Sequence, residues 1–594
     1  MERLGCRQLL SGAQPGRRVA LLSAAFGAGA VLLLLKRRWH SGELELIANA
    51  RARRDRSLES AEEAVEQFKK EHPGTNSADI LSLSLDELRR GLREEKLTPE
   101  AVLYTYMEKA LQATRTVNCA TAILLESQEQ LAQVEQHRDG LLYGVPVSIK
   151  DNVGIKGHDS TCGTVQKLEH PEVQDSVVVQ VLKKQGAIPF VKTNVPQGLL
   201  NYDCSNPIFE QTLNPCNLIK TPGGSSGGEG ALIGAGGSIL GLGTDIGGSI
   251  RIPSSFCGIC GFKPTSGRLR CGRLCSSAQG LASCCYGQKS VLSSVGPMAR
   301  DTDSLALCMR ALLCDHMFAL DPTVPPLPFD EQVYASSRPL KVGYYENDGN
   351  LMPSPSMSRA LRETKVLLEK AGHTLVPFLP PRLDSVLMEL VIKGLLADGG
   401  TTLLDNLKGG CIDPTLSPQT TVYRMPRLLK RILAVLLKPV YPRMAASFSA
   451  LNGCRSIPEL WKQHKAVQDY RQEFIAEWRK RDLDVLLCPV LGPAYNLGYC
   501  GKLTSALSYT AFYNLLNVPA GVVPVSVVSE EDEEELKDYK GNFGDRWDKL
   551  FKRAVTGGQG LPVGVQCVAL PWQDELCLRF MKEVETLVKN KQGK

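Results

Sequence analysis

The chain has 594 residues, 43% hydrophobic and 22% charged, with a formal net charge of +6. That balance fits a large globular enzyme and excludes a disordered or fibrous class. The charge is too mild to argue for a nucleic-acid partner, and no zinc-finger, helix-turn-helix or aromatic-basic signature accompanies it.

Residues 1–18 form a short tail. Residues 19–35 are an uncharged apolar run between Arg17-Arg18 and Lys36-Arg37-Arg38. As a helix the run spans about 26 Å, close to the bilayer core. It ends in a basic cluster rather than a small-residue cleavage site, so 19–38 reads as a transmembrane anchor in preference to a signal peptide. Arg51, Arg53 and Arg54 then favour a cytoplasmic position for the rest. Residues 39–96 read as a charged helical connector, with 51–71 a solvated helix and 86–95 a further one. A helix over 99–112 follows, opened by Thr98-Pro99 as cap and first-turn proline. The catalytic part is taken as 97–594.

Residues 141–149 are a short apolar run closed by Lys150-Asp151-Asn152. Burial would disfavour the charged form of Lys150 and make a neutral amine available as a base; a lysine snorkelling from a strand end to water is the plain alternative. A helix over 177–184 and a strand over 189–193 come next. Residues 222–265 then carry two glycine-lined serine settings, Gly223-Gly224-Ser225-Ser226-Gly227-Gly228 and Gly243-Thr244-Asp245-Ile246-Gly247-Gly248-Ser249, followed by Arg251. One such run is an ordinary turn. Two of them suggest a serine nucleophile beside backbone N–H donors. Gly224-Ser225-Ser226-Gly227-Gly228 also satisfies G-x-S-x-G, which would make Ser226 the nucleophile of an esterase or lipase with an acid and a histidine downstream. None of the eight histidines stands in a catalytic context.

Nineteen cysteines, scattered and odd in number, read as free thiols in a reducing, cytosol-facing location. Cys257-Gly258-Ile259-Cys260 is formally C-x-x-C, but the spacing does not repeat as a zinc knuckle, and no metal is expected. Residues 322–328 are proline-rich, a rigid loop or an SH3-type ligand. Over 425–444 one helical face gathers Leu428, Leu429, Ile432, Leu433 and Leu436. Arg427, Lys430, Arg431 and Lys438 gather on the other, between Pro426 and Pro439. A core helix would need only an apolar stripe; the wide apolar face and the lack of any acid suit a helix lying in a membrane interface. Residues 522–528 and 561–570 read as strands, 530–535 as an acidic loop, and the C-terminus as a helix.

An apolar strand ending in Lys-Asp-Asn, then Gly-Gly-Ser-Ser-Gly-Gly, then Gly-Thr-Asp-Ile-Gly-Gly-Ser-Ile-Arg resembles the amidase signature family. The resemblance implies an α/β fold with a large twisted mixed sheet surrounded by many helices, and no cofactor. It implies a Ser–Ser–Lys unit in which Ser249 is the nucleophile, Ser225 the bridging serine, held by a cis peptide, and Lys150 the base. The N–H groups of Ile246, Gly247, Gly248 and Ser249 would form the oxyanion hole, with Ser226 and Arg251 in support. The anchor, the amphipathic helix and residues 560–581 are similar to those of membrane-bound members acting on lipid amides. That likeness implies hydrolysis of acyl ethanolamides such as anandamide, and of primary amides such as oleamide, through an acyl-enzyme. It also implies a homodimer on endoplasmic-reticulum or Golgi membranes, with 425–444 as a membrane cap. Leu199 and Leu200 fall among the acyl-channel residues, where such members carry a bulky aromatic, and 268–293 is longer and richer in cysteine. Another amidase of the same family is the alternative.

Overall fold

Short runs rich in valine, isoleucine and leucine, bounded by glycine and proline, form strands. In the computed structural model, which describes residues 15–269, 287–591 and 593 with side chains from Ser41 onward, there are eleven such strands among the described residues. They are β1 (Ala120–Ile123), β2 (Pro146–Lys150), β3 (Ile188–Thr193), β4 (Leu240–Asp245), β5 (Cys260–Lys263) and β6 (Ser294–Ala299). The rest are β7 (Lys341–Tyr344), β8 (Thr374–Pro377), β9 (Val485–Pro489), β10 (Ala520–Val527) and β11 (Pro562–Val568). All join one mixed sheet in the order β1-β3-β2-β4-β6-β5-β10-β11-β9-β7-β8.

β2, β3 and β4 run parallel and are buried at every residue. Burial on both faces explains their near-continuous apolar reading and requires helices above and below. Lys150 ends β2 and Asp245 ends β4, so both emerge at the carboxyl edge of parallel neighbours, where α/β sheets bind ligands. Each glycine-serine run bends from that edge into a helix, the first into Gly227–Gly234 and the second into Arg251–Cys257.

The expected helices at 86–95 and 99–112 occur as Leu85–Arg93 and Pro99–Val117, the latter with Thr98 as N-cap and ended by Asn118 at φ 53°. Two expectations change. The stretch 51–71 belongs to a helix, Pro15–Glu71, that packs along the body rather than standing in solvent. Ala61, Val65 and Phe68 lie on one stripe; Ala61 and Val65 enter the main core, Phe68 is buried against Tyr104, and Arg51 Nε donates to Ile208 O at 2.6 Å. The dense charge of this segment conceals that stripe. The acidic segment 530–535 is not a loop but the helix Glu530–Leu536, opened by a capping box between Ser529 and Asp532. Glu530, Glu531, Asp532 and Glu533 sit in the first turn, where the helix dipole favours them, and Arg359 Nη2 pairs with Asp532 Oδ2 at 2.6 Å.

Among the described residues no helix is long and apolar enough to cross a membrane. The side chains of the anchor run 19–35, and most of the cysteine-rich stretch 268–293, lie outside the described residues. Also among the described residues, no three His, Cys, Asp or Glu side chains group as a metal site.

Candidate active site

The carboxyl edge brings Lys150, Ser225 and Thr244 together. Lys150 is fully buried, with Nζ 2.8 Å from Ser225 Oγ, 2.8 Å from Thr244 Oγ1 and 3.2 Å from Thr244 O. Thr244 Oγ1 donates to Asn152 Oδ1 at 3.3 Å, so towards Lys150 it acts as an acceptor. A neutral amine has two N–H bonds and one lone pair. Spent on the two Thr244 oxygens, those N–H bonds leave the lone pair for the Ser225 hydroxyl. Burial pushes the Lys150 ammonium down to about 7, against the opposing pull first of Asp245 and, further down, of Glu229.

Ser225 follows a cis peptide from Gly224. The two glycine-serine runs are stitched together by Ser226 N–H, which donates to Ser249 O at 3.0 Å. Ser226 Oγ is wholly buried and spent on the Thr244 backbone, accepting from its N–H and donating to its C=O, each at 3.3 Å. Ser249 by contrast is 9% exposed and lines an apolar cavity, which Ser226 does not. The G-x-S-x-G reading therefore needs a nucleophile that is buried away from this cavity, and among the described residues no histidine lines it.

The loop carrying Ser249 is fixed by Asp245, whose Oδ1 accepts from Gly248 N at 2.8 Å and whose Oδ2 accepts from Ile250 N at 3.1 Å. Arg251, also fully buried, grips the same carboxylate through Nε at 3.0 Å and Nη2 at 2.9 Å, and spends Nη1 on Thr510 O and Gln566 Oε1. Burial opposes ionisation of Asp245, but the Arg251 guanidinium and the loop N–H groups outweigh it and hold the carboxyl well below the usual range. One consequence departs from the sequence reading: Gly248 N–H is already bound to Asp245. The backbone donors in this loop without such a partner are those of Ile246, Gly247 and Ser249.

From Ser249 a cavity of about 310 Å³ runs between apolar walls that include Leu199, Leu200, Ile392 and Phe448. The expected cap is two helices, Arg427–Leu437 and Pro442–Ala450, the break falling at Pro439-Val440-Tyr441. Leu428, Leu429, Ile432 and Leu436 are exposed, while Leu433 is half-buried. The reversal is in Lys430. Placed by periodicity on the solvated face, it is buried and donates to Tyr423 O at 3.1 Å and Leu451 O at 3.2 Å.

Sequence reasoning missed three contributors: Thr244 as partner of Lys150, Asp245 as clamp of the loop, and Glu229, a buried carboxylate beside the unit. Asp245 was legible, since an acid inside a glycine-rich turn and an arginine six residues on commonly clamp a loop. The other two become partners only when β2, β3 and β4 are set side by side.

Comparison with known proteins agrees with this architecture. The profile of the amidase family matches residues 101–578. Fatty-acid amide hydrolase 1 of Sus scrofa is 54% identical over 560 residues, covering 94% of this chain and 95% of that protein. Fatty acid amide hydrolase 1 of Caenorhabditis elegans is 40% identical over 562 residues, covering 92% and 95%. A solved structure of a fatty acid amide hydrolase superposes with a TM-score of 0.74 at 25% identity, covering 92% of this chain and 95% of that one. The A subunit of glutamyl-tRNA(Gln) amidotransferase from Thermotoga maritima, 20% identical, shares the fold at a TM-score of 0.57. Fold and site thus define an α/β enzyme that hydrolyses amides. The chain belongs to the amidase family.

Proposed function

We propose that this enzyme is a membrane-bound hydrolase of fatty-acid amides, cleaving acyl ethanolamides such as anandamide and primary amides such as oleamide to fatty acid and amine. The observation that carries the reading is a buried lysine 2.8 Å from Ser225 Oγ, at the head of an apolar cavity bordered by Ser249. Extended relatives bearing that activity in their names support the substrate class.

In this reading Ser249 Oγ attacks the amide carbonyl and passes its proton through Ser225 to neutral Lys150. The oxyanion is received by the N–H groups of Ile246, Gly247 and Ser249. An amine is a poor leaving group until protonated, so Lys150 returns the proton along the same path to the nitrogen as the C–N bond breaks. Water, activated by the same relay, then releases the fatty acid from Ser249. Ser226 and Arg251 hold the geometry, and Leu199 and Leu200 border the acyl chain.

Residues 19–38 act as the anchor after a tail of 1–18, 39–96 join it to the catalytic part 97–594, and the cap around 425–444 dips its exposed leucines into the lipid. A long-chain amide then enters from the bilayer without crossing water. The proposed setting is a homodimer on endoplasmic-reticulum or Golgi membranes, with the catalytic part cytoplasmic. The test presents oleamide and anandamide in vesicles to wild type and Ser249→Ala and maps the adduct of a fluorophosphonate probe. The reading expects loss of hydrolysis in the variant and an adduct on Ser249. An adduct on Ser226, or hydrolysis of glutamine in place of the lipid amides, overturns it.

A further inference from the structure

A second ionisable group is built into the sheet beside Lys150. Glu229, on the helix Gly227–Gly234, is wholly buried, and among the described residues its carboxylate oxygens are bonded to hydroxyls and to no cation. Ser148 Oγ donates to Oε2 at 2.5 Å and Thr193 Oγ1 donates to Oε1 at 2.7 Å. These two donors are placed by the sheet around Lys150. Ser148 lies two residues before it on β2, on the same side of the strand, and Thr193 is its partner in the β2–β3 register. Space for the carboxylate comes from β4: a Cβ at Gly241 would lie 2.0 Å from Glu229 Oε2 and 2.4 Å from Ser148 Oγ.

The cradle also accommodates the neutral acid. Ser148 Oγ is 3.4 Å from Leu240 O, so the hydroxyl can turn to that carbonyl and accept from a protonated Glu229. Burial raises the Glu229 carboxyl to about 7, while the Ser148 and Thr193 hydroxyls and Lys150 pull it down. The other groups facing the pair are Asp245, Cys119, Cys162 and Cys204. Burial pushes the Cys119 and Cys204 thiols up to about 12, and Asp245 stays ionised in the grip of Arg251. Cys162 Sγ lies against Lys167 Nζ at 3.5 Å.

We infer that Glu229 is a positioning residue for the reaction: its charge, held in the Ser148–Thr193 cradle, sets the pH at which Lys150 becomes a base. No proton passes between the two; the carboxylate acts through its field, and a nearby anion favours the protonated lysine. This inference rests on Lys150 being the base.

The test is the pH profile of kcat/KM for Glu229→Gln in the full-length, membrane-bound enzyme. The amide keeps the shape: its oxygen accepts from one hydroxyl and its NH2 donates to the other. Without the negative charge the Lys150 amine is less basic, so the acidic limb should move to lower pH, by about half a unit or less because Glu229 comes after Asp245 among the anions acting on Lys150. The plateau should fall severalfold, because a less basic amine is a weaker base. A merely structural role would lower the plateau and leave the limb in place, and a limb that stays or moves to higher pH overturns the inference. If Glu229→Gln does not fold, Thr193→Val decides: removing one donor favours the neutral acid, and the limb should move the same way by less. Lys150→Ala separates the two readings. If it retains amide turnover, the base assignment fails; if turnover is lost but the limb of Glu229→Gln is unmoved, only the role of Glu229 fails.

Discussion

Two of the buried lysines, alike in burial, differ in their partners. Lys150 and Lys430 are each almost inaccessible, and burial pulls the basicity of both below that of an ordinary ammonium. Lys430 meets two backbone carbonyls, which accept hydrogen bonds and can do nothing else. Lys150 meets hydroxyls, and a hydroxyl can hand on a proton. Burial alone therefore does not make a catalytic amine. In the proposed reading the relay partner, Ser225, does; its run is tied by Ser226 N–H to Ser249 O, on the loop that a buried pair, Asp245 and Arg251, holds in place.

The sharpest way to break this contrast is to remove each ammonium. Lys150→Ala should lower kcat for amide hydrolysis by about 10²–10⁴-fold, with a retained unfolding transition, and should slow fluorophosphonate labelling of Ser249. Equal turnover in wild type and variant would remove the distinction between the two lysines. The pH profile tests the same point without mutation. With Lys150 titrating at about 7, the amine is protonated below that pH and neutral above it. Log kcat/KM should then rise by about one per unit on the acidic side and level off above pH 7; a flat profile from pH 5 to 8 refutes a lysine base.

On the cap side, Ile432→Glu with Leu436→Glu should weaken vesicle binding of protein lacking residues 1–38 by about 100-fold or more, since each inserted side chain is worth about 1.5–3 kcal/mol. Hydrolysis of a short, water-soluble amide should be unaffected, and undiminished vesicle binding would end the claim of this face on the membrane. The loop clamp is next. Arg251→Ala leaves Asp245 charged and buried without its partner, a loss of about 3–5 kcal/mol read by urea denaturation. The smallest effect belongs to Lys430→Met, which strands two carbonyls at a cost of about 1–3 kcal/mol. It should appear as faster hydrogen exchange over the helix Arg427–Leu437, with turnover of the short amide preserved.

How much of the molecule is legible in its sequence depends on the range of each interaction. The helix start at Thr98 and the strands β2, β3 and β11 were legible, because caps and apolar runs are local. The pairing of a lysine with two glycine-serine runs was legible as a motif. What stayed hidden required neighbours far apart in the chain. Helical periodicity sorted Leu428 to Leu436 from Arg427 to Lys438, but periodicity cannot tell which face turns inward, and Lys430 turned with the body. Gly248 looked like a free donor until Asp245 claimed its N–H. The helix at 530–536 was a misreading rather than a hidden fact, since Ser529 and Asp532 already stand at capping-box spacing.

The inward turn of Lys430 bears on how the protein is to be handled. A helix pegged by its ammonium does not depend on its outward leucines for folding. Polar replacements at Leu428, Ile432 or Leu436 are thus the places to seek a form that stays dispersed without detergent, while the lysine beneath them should be left alone.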